Sequence, residues 1–243
     1  MTGTLLNIAT VILGSLLGLA FGSRIPERYK TTIVAGMGLF TAAIGVQMFL
    51  RTGNALIVLG ALLVGALLGE WWKIEDGLQD LGGVLEKRFG ARGSDHGDGE
   101  GGDSPFVRGF LTASLLFCVG PMTILGSIQD GLTGDYNLLA VKSVLDGFAA
   151  LALSSTLGVG VMFSAAVILV YQGGISLLAG RLNSLVSPLM MSEMTATGGL
   201  ILIGLALSSL LGIKPLRVGS FLPALGVAPL LMWIVQLSRI SIP

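Results

Sequence analysis

Long apolar runs, each closed by charged or turn-forming residues, set the pattern of this chain. A run of about 17–25 apolar residues is long enough to cross a bilayer as a helix. Such runs cover 4–22, 31–50, 54–72, 106–128, 137–157, 159–179, 194–212 and 218–237. The first closes on Ser23-Arg24-Ile25-Pro26, the second on Arg51, and the third on Glu70, Trp71, Trp72 and Lys73. Paired tryptophans beside charge suit a membrane interface, where an amphipathic ring is best placed. Barrel strands would be about 10 residues of alternating polarity, and nothing here alternates in that way. The pattern predicts an all-α, polytopic membrane helix bundle of about eight spans in a single membrane domain.

One stretch departs from the pattern. Ile74, Leu78, Leu81, Leu85 and Phe89 recur at helical spacing among Glu75, Asp76, Asp80, Glu86, Lys87 and Arg88. This predicts an amphipathic helix over 74–90, lying on the membrane surface or against the bundle. A glycine-rich acidic segment follows over 91–105, and its polar composition predicts a flexible loop. His96 sits there between Asp95 and Asp98, where a solvated loop is the better reading than a metal site.

Composition agrees with the span pattern. Of 243 residues, 53% are hydrophobic and only 12% charged, against about 25% charged in soluble domains. Net charge is zero, so no basic face points to nucleic acid. One cysteine and one histidine exclude an intrachain disulfide and argue against a zinc site. The first apolar run lacks the positive start of a secretory signal and is too long for one, so it reads as a retained span.

Lys and Arg in the loops set orientation. With eight crossings, one side receives Arg24, Arg28, Lys30, Lys73, Lys87, Arg88, Arg92, Arg108, Lys214 and Arg217; the other receives Arg51, Arg181 and Arg239. The richer side is expected in the cytoplasm. That places both termini outside and the segment 73–105 inside.

A candidate inverted repeat runs through the spans. Ala9-Thr-Val-Ile-Leu13 resembles Ala165-Ala-Val-Ile-Leu169, and Phe21-Gly-Ser-Arg-Ile25 resembles Leu178-Ala-Gly-Arg-Leu182. Gly38-Leu39 through Ile44-Gly45 resembles Gly199-Leu200 through Ile203-Gly204 with one gap. Spans one and two thus echo spans six and seven. An odd offset inverts the copies in the membrane, a recurrent transporter architecture. Chance similarity among Leu, Ile, Ala and Gly is the bland alternative.

Charge within a span costs at least about 2.5–3.5 kcal/mol on insertion scales. Lys142 and Asp146 lie deep in the fifth span, four apart and so on one helix face. They form either a locked ion pair or a charged wall of a solute path. In the fourth span Gly120-Pro121 should break the helix, because proline lacks a donor and obstructs the ladder near Phe117. Ser127, Gln129 and Asp130 follow and supply oxygens, unless Asp130 lies outside in a loop. Ser192-Glu193 reads as the start of the seventh span, a serine cap with an acid in the first turn; an inward-facing Glu193 becomes a second acidic candidate. Gln172, flanked by Gly173-Gly174, is either packing glue or a ligand contact. Cys118 reads as a packing residue, with no histidine to activate it. No hydrolase, phosphate-loop or dinucleotide motif appears, so neither an enzyme nor a cofactor is expected.

The segments Gly3-Thr-Leu-Leu-Asn7, Cys118-Val-Gly-Pro-Met122, Gly126-Ser-Ile-Gln-Asp-Gly131, Lys142-Ser143, Asp146-Gly147 and Gly198-Gly199-Leu200 resemble the bacterial membrane family called domain of unknown function 554, of YqgA/YdfK type. The resemblance runs over essentially the whole chain, and the central cysteine-to-glycine stretch is its most specific part. It implies a multi-pass inner-membrane protein, often labelled a transporter, and no established substrate or site residues.

The reading that joins these features is a small secondary transporter of an ion or small polar solute. Its candidate site is Gly120, Pro121, Ser127, Gln129, Asp130, Lys142, Asp146, Gln172 and Glu193. The alternative is a non-transporting module, channel-like or accessory, that binds a partner protein through the amphipathic helix. Partners expected are the lipid bilayer, a small solute or ion and, since the chain is short for alternating access, a second copy of itself.

Overall fold

In the computed structural model, residues 1–22, 24, 26–89, 104–181 and 187–238 are described, and their regular elements are all helical. Most of the acidic segment, with His96, lies outside the described residues. The helices are α1 (Thr2–Gly22), α2 (Glu27–Phe49), α3 (Ala55–Trp71), α4 (Ile74–Phe89), α5 (Pro105–Val119), α6 (Pro121–Thr133), α7 (Asn137–Leu157), α8 (Gly160–Leu177), α9 (Pro188–Leu205) and α10 (Ala224–Ser238). A π-helical turn at Ala206–Leu210 extends α9, and a 3-10 turn at Val218–Phe221 precedes α10. Six helices among the described residues are long and apolar enough to cross a membrane, or up to eight spans if the bent pairs α3–α4 and α5–α6 each count as one.

Local chemistry explains the boundaries. Asn54 caps α3 by accepting from the Leu56 N–H at 2.9 Å. The α7–α8 connection is so short that Gly158 takes φ 83°, where a side chain would be strained. Pro188 opens α9, with Ser187 as its cap accepting from the Met190 N–H at 3.3 Å. The seventh span therefore starts before 194, and Ser192 is not its cap. The Ser192 hydroxyl instead donates to the Arg51 carbonyl.

The fourth span breaks where glycine and proline predicted, and α5 and α6 meet at 62°. The Phe117 carbonyl, which loses its helical donor to Pro121, accepts from the Thr123 hydroxyl at 3.0 Å. A Ser/Thr hydroxyl is a usual means of satisfying backbone freed at membrane depth. Helix α6 continues to Thr133, so Asp130 stands on a helix and not in a loop.

The chain divides into two compact units. The first comprises Met1–Gly36, Asp76–Cys118 and Met122–Ala179. Its spine is α1 packed along α7: Gly3 meets Leu139, Gly14 meets Gly147, Gly18 meets Leu151 and Gly22 meets Ser155. The numbers rise together, so the two helices run parallel. Small residues let them approach to backbone contact, which drives association where lipid competes with every apolar surface. The Ser154 hydroxyl donates across the seam to the Ser15 carbonyl at 3.0 Å.

The second unit comprises Met37–Glu75, Val119–Pro121 and Gly180–Pro243. Here α2 and α9 run antiparallel: Gly38 faces Leu211, and Gly45 faces Gly199 and Ile203. So do α3 and α10, through Gly65 on Ala224 and Gly60 on Leu231. Parallel α1 and α7 require an odd number of crossings between them. With α1, α2 and α7 each crossing, the two bent pairs both cross or both fail to.

Candidate functional site

The first two turns of α1 carry Gly3, Thr4 and Asn7, all buried. Helical spacing puts Thr4 and Asn7 on one face, and that face meets polar residues of α7 and α8. Asn7 Nδ2 donates to Asp146 Oδ2 and to Gln172 Oε1, both at 3.0 Å. Gln172 Nε2 donates to Thr4 Oγ1 at 3.3 Å. Lys142 forms an ion pair with Asp146 Oδ2 from one turn earlier on α7. Five side chains on three helices thus form one hydrogen-bonded chain inside the first unit.

The direction of that chain is set by its charged end. A carboxylate only accepts, so Asn7 must turn its amide nitrogen toward Asp146. The same nitrogen then requires a carbonyl from Gln172, which leaves the Gln172 amide for Thr4. Asn7 Oδ1 is left over: it is buried, and nothing among the described residues donates to it. An acceptor buried without a donor is costly in an apolar setting. Asp146 is the more open end, its side chain 12% exposed against 6% for Lys142, while Asn7 and Gln172 are wholly buried.

Asp130 reaches the same end of α1 from α6. Its Oδ2 accepts from the Gly3 N–H at 3.0 Å and lies 2.9 Å from the Met1 amine. Its Oδ1 is buried without a donor among the described residues. Gly131, next in α6, lies against the Ser176 carbonyl of α8, and a side chain there would overlap it.

The remaining sequence candidates lie elsewhere. Ser127 is buried, but its hydroxyl donates at 2.5 Å to the Thr123 carbonyl of its own helix. Gln129 is exposed. Gly120 and Pro121 form the break and contribute no group to the chain of hydrogen bonds. Asn7 and Thr4 were absent from the candidates; the available signal was Asn7, the one amide side chain in the mostly apolar first span, with Thr4 three residues before it.

Glu193 belongs to the second unit and is only 2% exposed. Its carboxylate holds the α2–α3 turn: Oε2 accepts from the Thr52 hydroxyl at 2.7 Å, and Oε1 from the N–H groups of Gly53 at 2.7 Å and Asn54 at 3.2 Å. The acid faces inward, and its bonds explain it as a turn-holding group. Glu193→Ala should cost about 2–3 kcal/mol by orphaning these donors. It should also speed amide hydrogen exchange at Gly53 and Asn54; unchanged exchange there would refute the assignment.

A family model described as protein of unknown function, DUF554, matches residues 2–233. The chain is 29% identical to the uncharacterized membrane protein YdfK of Bacillus subtilis over 240 residues, covering 97% of each. It is 30% identical to the uncharacterized protein YqgA of Escherichia coli over 226 residues, covering 93% of this chain and 94% of YqgA. No solved structure matches.

Proposed function

The chain belongs to the DUF554 family, and on that premise we propose that it is a small secondary transporter of an ion or small polar solute. One observation carries the reading: a hydrogen-bonded chain of Thr4, Gln172, Asn7, Asp146 and Lys142, buried among membrane helices, that ends with an acceptor unused at Asn7. Ionisable groups inside spans are expensive and mark solute or proton paths. A broken helix beside them, α5–α6, is a recurrent transporter feature. The protein acts in a membrane; its placement in a bacterial inner membrane, with both termini outside and 73–105 in the cytoplasm, is part of the proposal. No catalysis is assigned to it.

The test is uptake into proteoliposomes from a library of ions and small solutes. Asp146→Asn should abolish uptake of the active solute while the protein still elutes as a folded species. A folded Asp146→Asn protein that transports at the parent rate would sink the reading.

A second reading has its own support. Asp130 and Asp146 are both ion-paired, and α4 leaves Leu81 46% and Val84 61% exposed. A non-transporting module that docks a partner through α4 accounts for these. Charged substitutions at Leu81 and Val84 would then remove the protein from a native complex. The transporter reading instead expects uptake to survive them.

A further inference from the structure

We infer that the ligand of this cluster is a small monovalent cation, held by the Asp146 carboxylate and Asn7 Oδ1, which takes the place of the Lys142 ammonium as it enters. The inference rests on the transporter reading and narrows its substrate class.

The donor and acceptor inventory leads there. Asn7 Oδ1 can only accept. It belongs to the same amide that donates to Asp146 Oδ2, so an unused acceptor and a carboxylate share one buried cluster. A carboxylate and an amide oxygen are ligands that suit a hard cation. An anion would have to sit against the Asp146 carboxylate and the unpartnered Asn7 Oδ1, both acceptors that repel it, and the Asn7 amide already donates both its N–H groups, to Asp146 and Gln172. A divalent ion would call for more carboxylates, and no group of three or more His, Cys, Asp or Glu residues that could hold a metal occurs among the described residues. One carboxylate balances one positive charge, now supplied by Lys142 from its own helix. Lysine and cation thus compete for one carboxylate. Asp146, the most exposed member of the cluster, is the point of entry.

The experiment is thermal denaturation of the purified full chain in detergent. Sodium chloride is titrated at constant ionic strength against choline chloride, with lithium and potassium chloride alongside. A ligand that binds only the folded state raises apparent stability by mass action. The parent should show a saturable rise with an alkali cation that choline does not give. Asn7→Ala, which leaves the Lys142–Asp146 pair in place, should weaken the midpoint about tenfold, and Asp146→Asn should remove it. Lys142→Gln takes away the competitor, so in alkaline buffer its midpoint should fall about ten- to hundredfold, the equivalent of one charged hydrogen bond. A parent indifferent to all three cations overturns the inference, whatever the variants do. So does a midpoint that Asn7→Ala leaves unchanged. Asp146-dependent uptake of a neutral or anionic solute in choline buffer would overturn the cation while leaving transport standing. Saturable sodium binding with no uptake of any solute would keep the cation site and discard transport.

Discussion

Lys142→Met is expected to destabilise the folded protein by about 3–5 kcal/mol, the usual cost of stripping one partner from a buried ion pair. Lys142 and Asp146 are both nearly buried, and only Asn7 would remain to donate to Asp146 Oδ2. Thermal midpoints in detergent and the yield of monodisperse protein measure the effect. The double variant Lys142→Met, Asp146→Leu removes both charges and should recover most of the stability, since apolar replacements of whole buried pairs are often neutral or better. Stability and transport should then part company. If the pair were only a structural lock, the double variant would transport like the parent. If Asp146 holds the solute, the double variant folds and transports nothing. A single Lys142→Met variant as stable as the parent would show that the ion pair does not hold the fold.

How much of this was legible depended on how local the interaction is. The spans were legible because a bilayer demands long apolar runs, and the break because Gly120-Pro121 obstructs any helix. Lys142 with Asp146 was legible as a pair because four residues make one helical turn. Asn7 with Asp146 was not: 139 residues separate them, and only packing of α1 along α7 sets that register. The same holds for Gln172, whose candidacy was visible but whose partners were not. At Ser187-Pro188 a helix-start signal was present, but the apolar run from Met194 outweighed it. Glu193 then read as first-turn punctuation, although its partners are a turn 139–141 residues away. Gln129 and Ser127 supplied the expected oxygens, but helix phase turns one outward and the other onto its own backbone.

Gly18→Leu should separate α1 from α7 and cost about 3 kcal/mol or more, the upper range for overpacking a tight interface. Even a Cβ at Gly18 would overlap the Leu151 carbonyl oxygen and the Ser154 hydroxyl. The hydroxyl can rotate away; a backbone carbonyl cannot, so the helices must move apart. Gly14, against the Gly147 carbonyl, stands in the same relation one turn earlier. No apolar driving force in lipid restores the contact, because the tails replace whatever surface is lost. Displacing α1 also breaks the site, since Asn7 and Gly3 reach Asp146 and Asp130 only from that helix. Gly18→Ala should therefore lower solute uptake even where the protein remains folded, although Gly18 lies three turns from Asn7. Gly36→Ala is the control: nothing lies within 4 Å of the added methyl, and alanine in a helix is favoured over glycine by about 0.5–1 kcal/mol. Equal thermal midpoints for Gly18→Ala and Gly36→Ala would mean that α1 and α7 do not meet in this register, and the site built on their contact would fall with it.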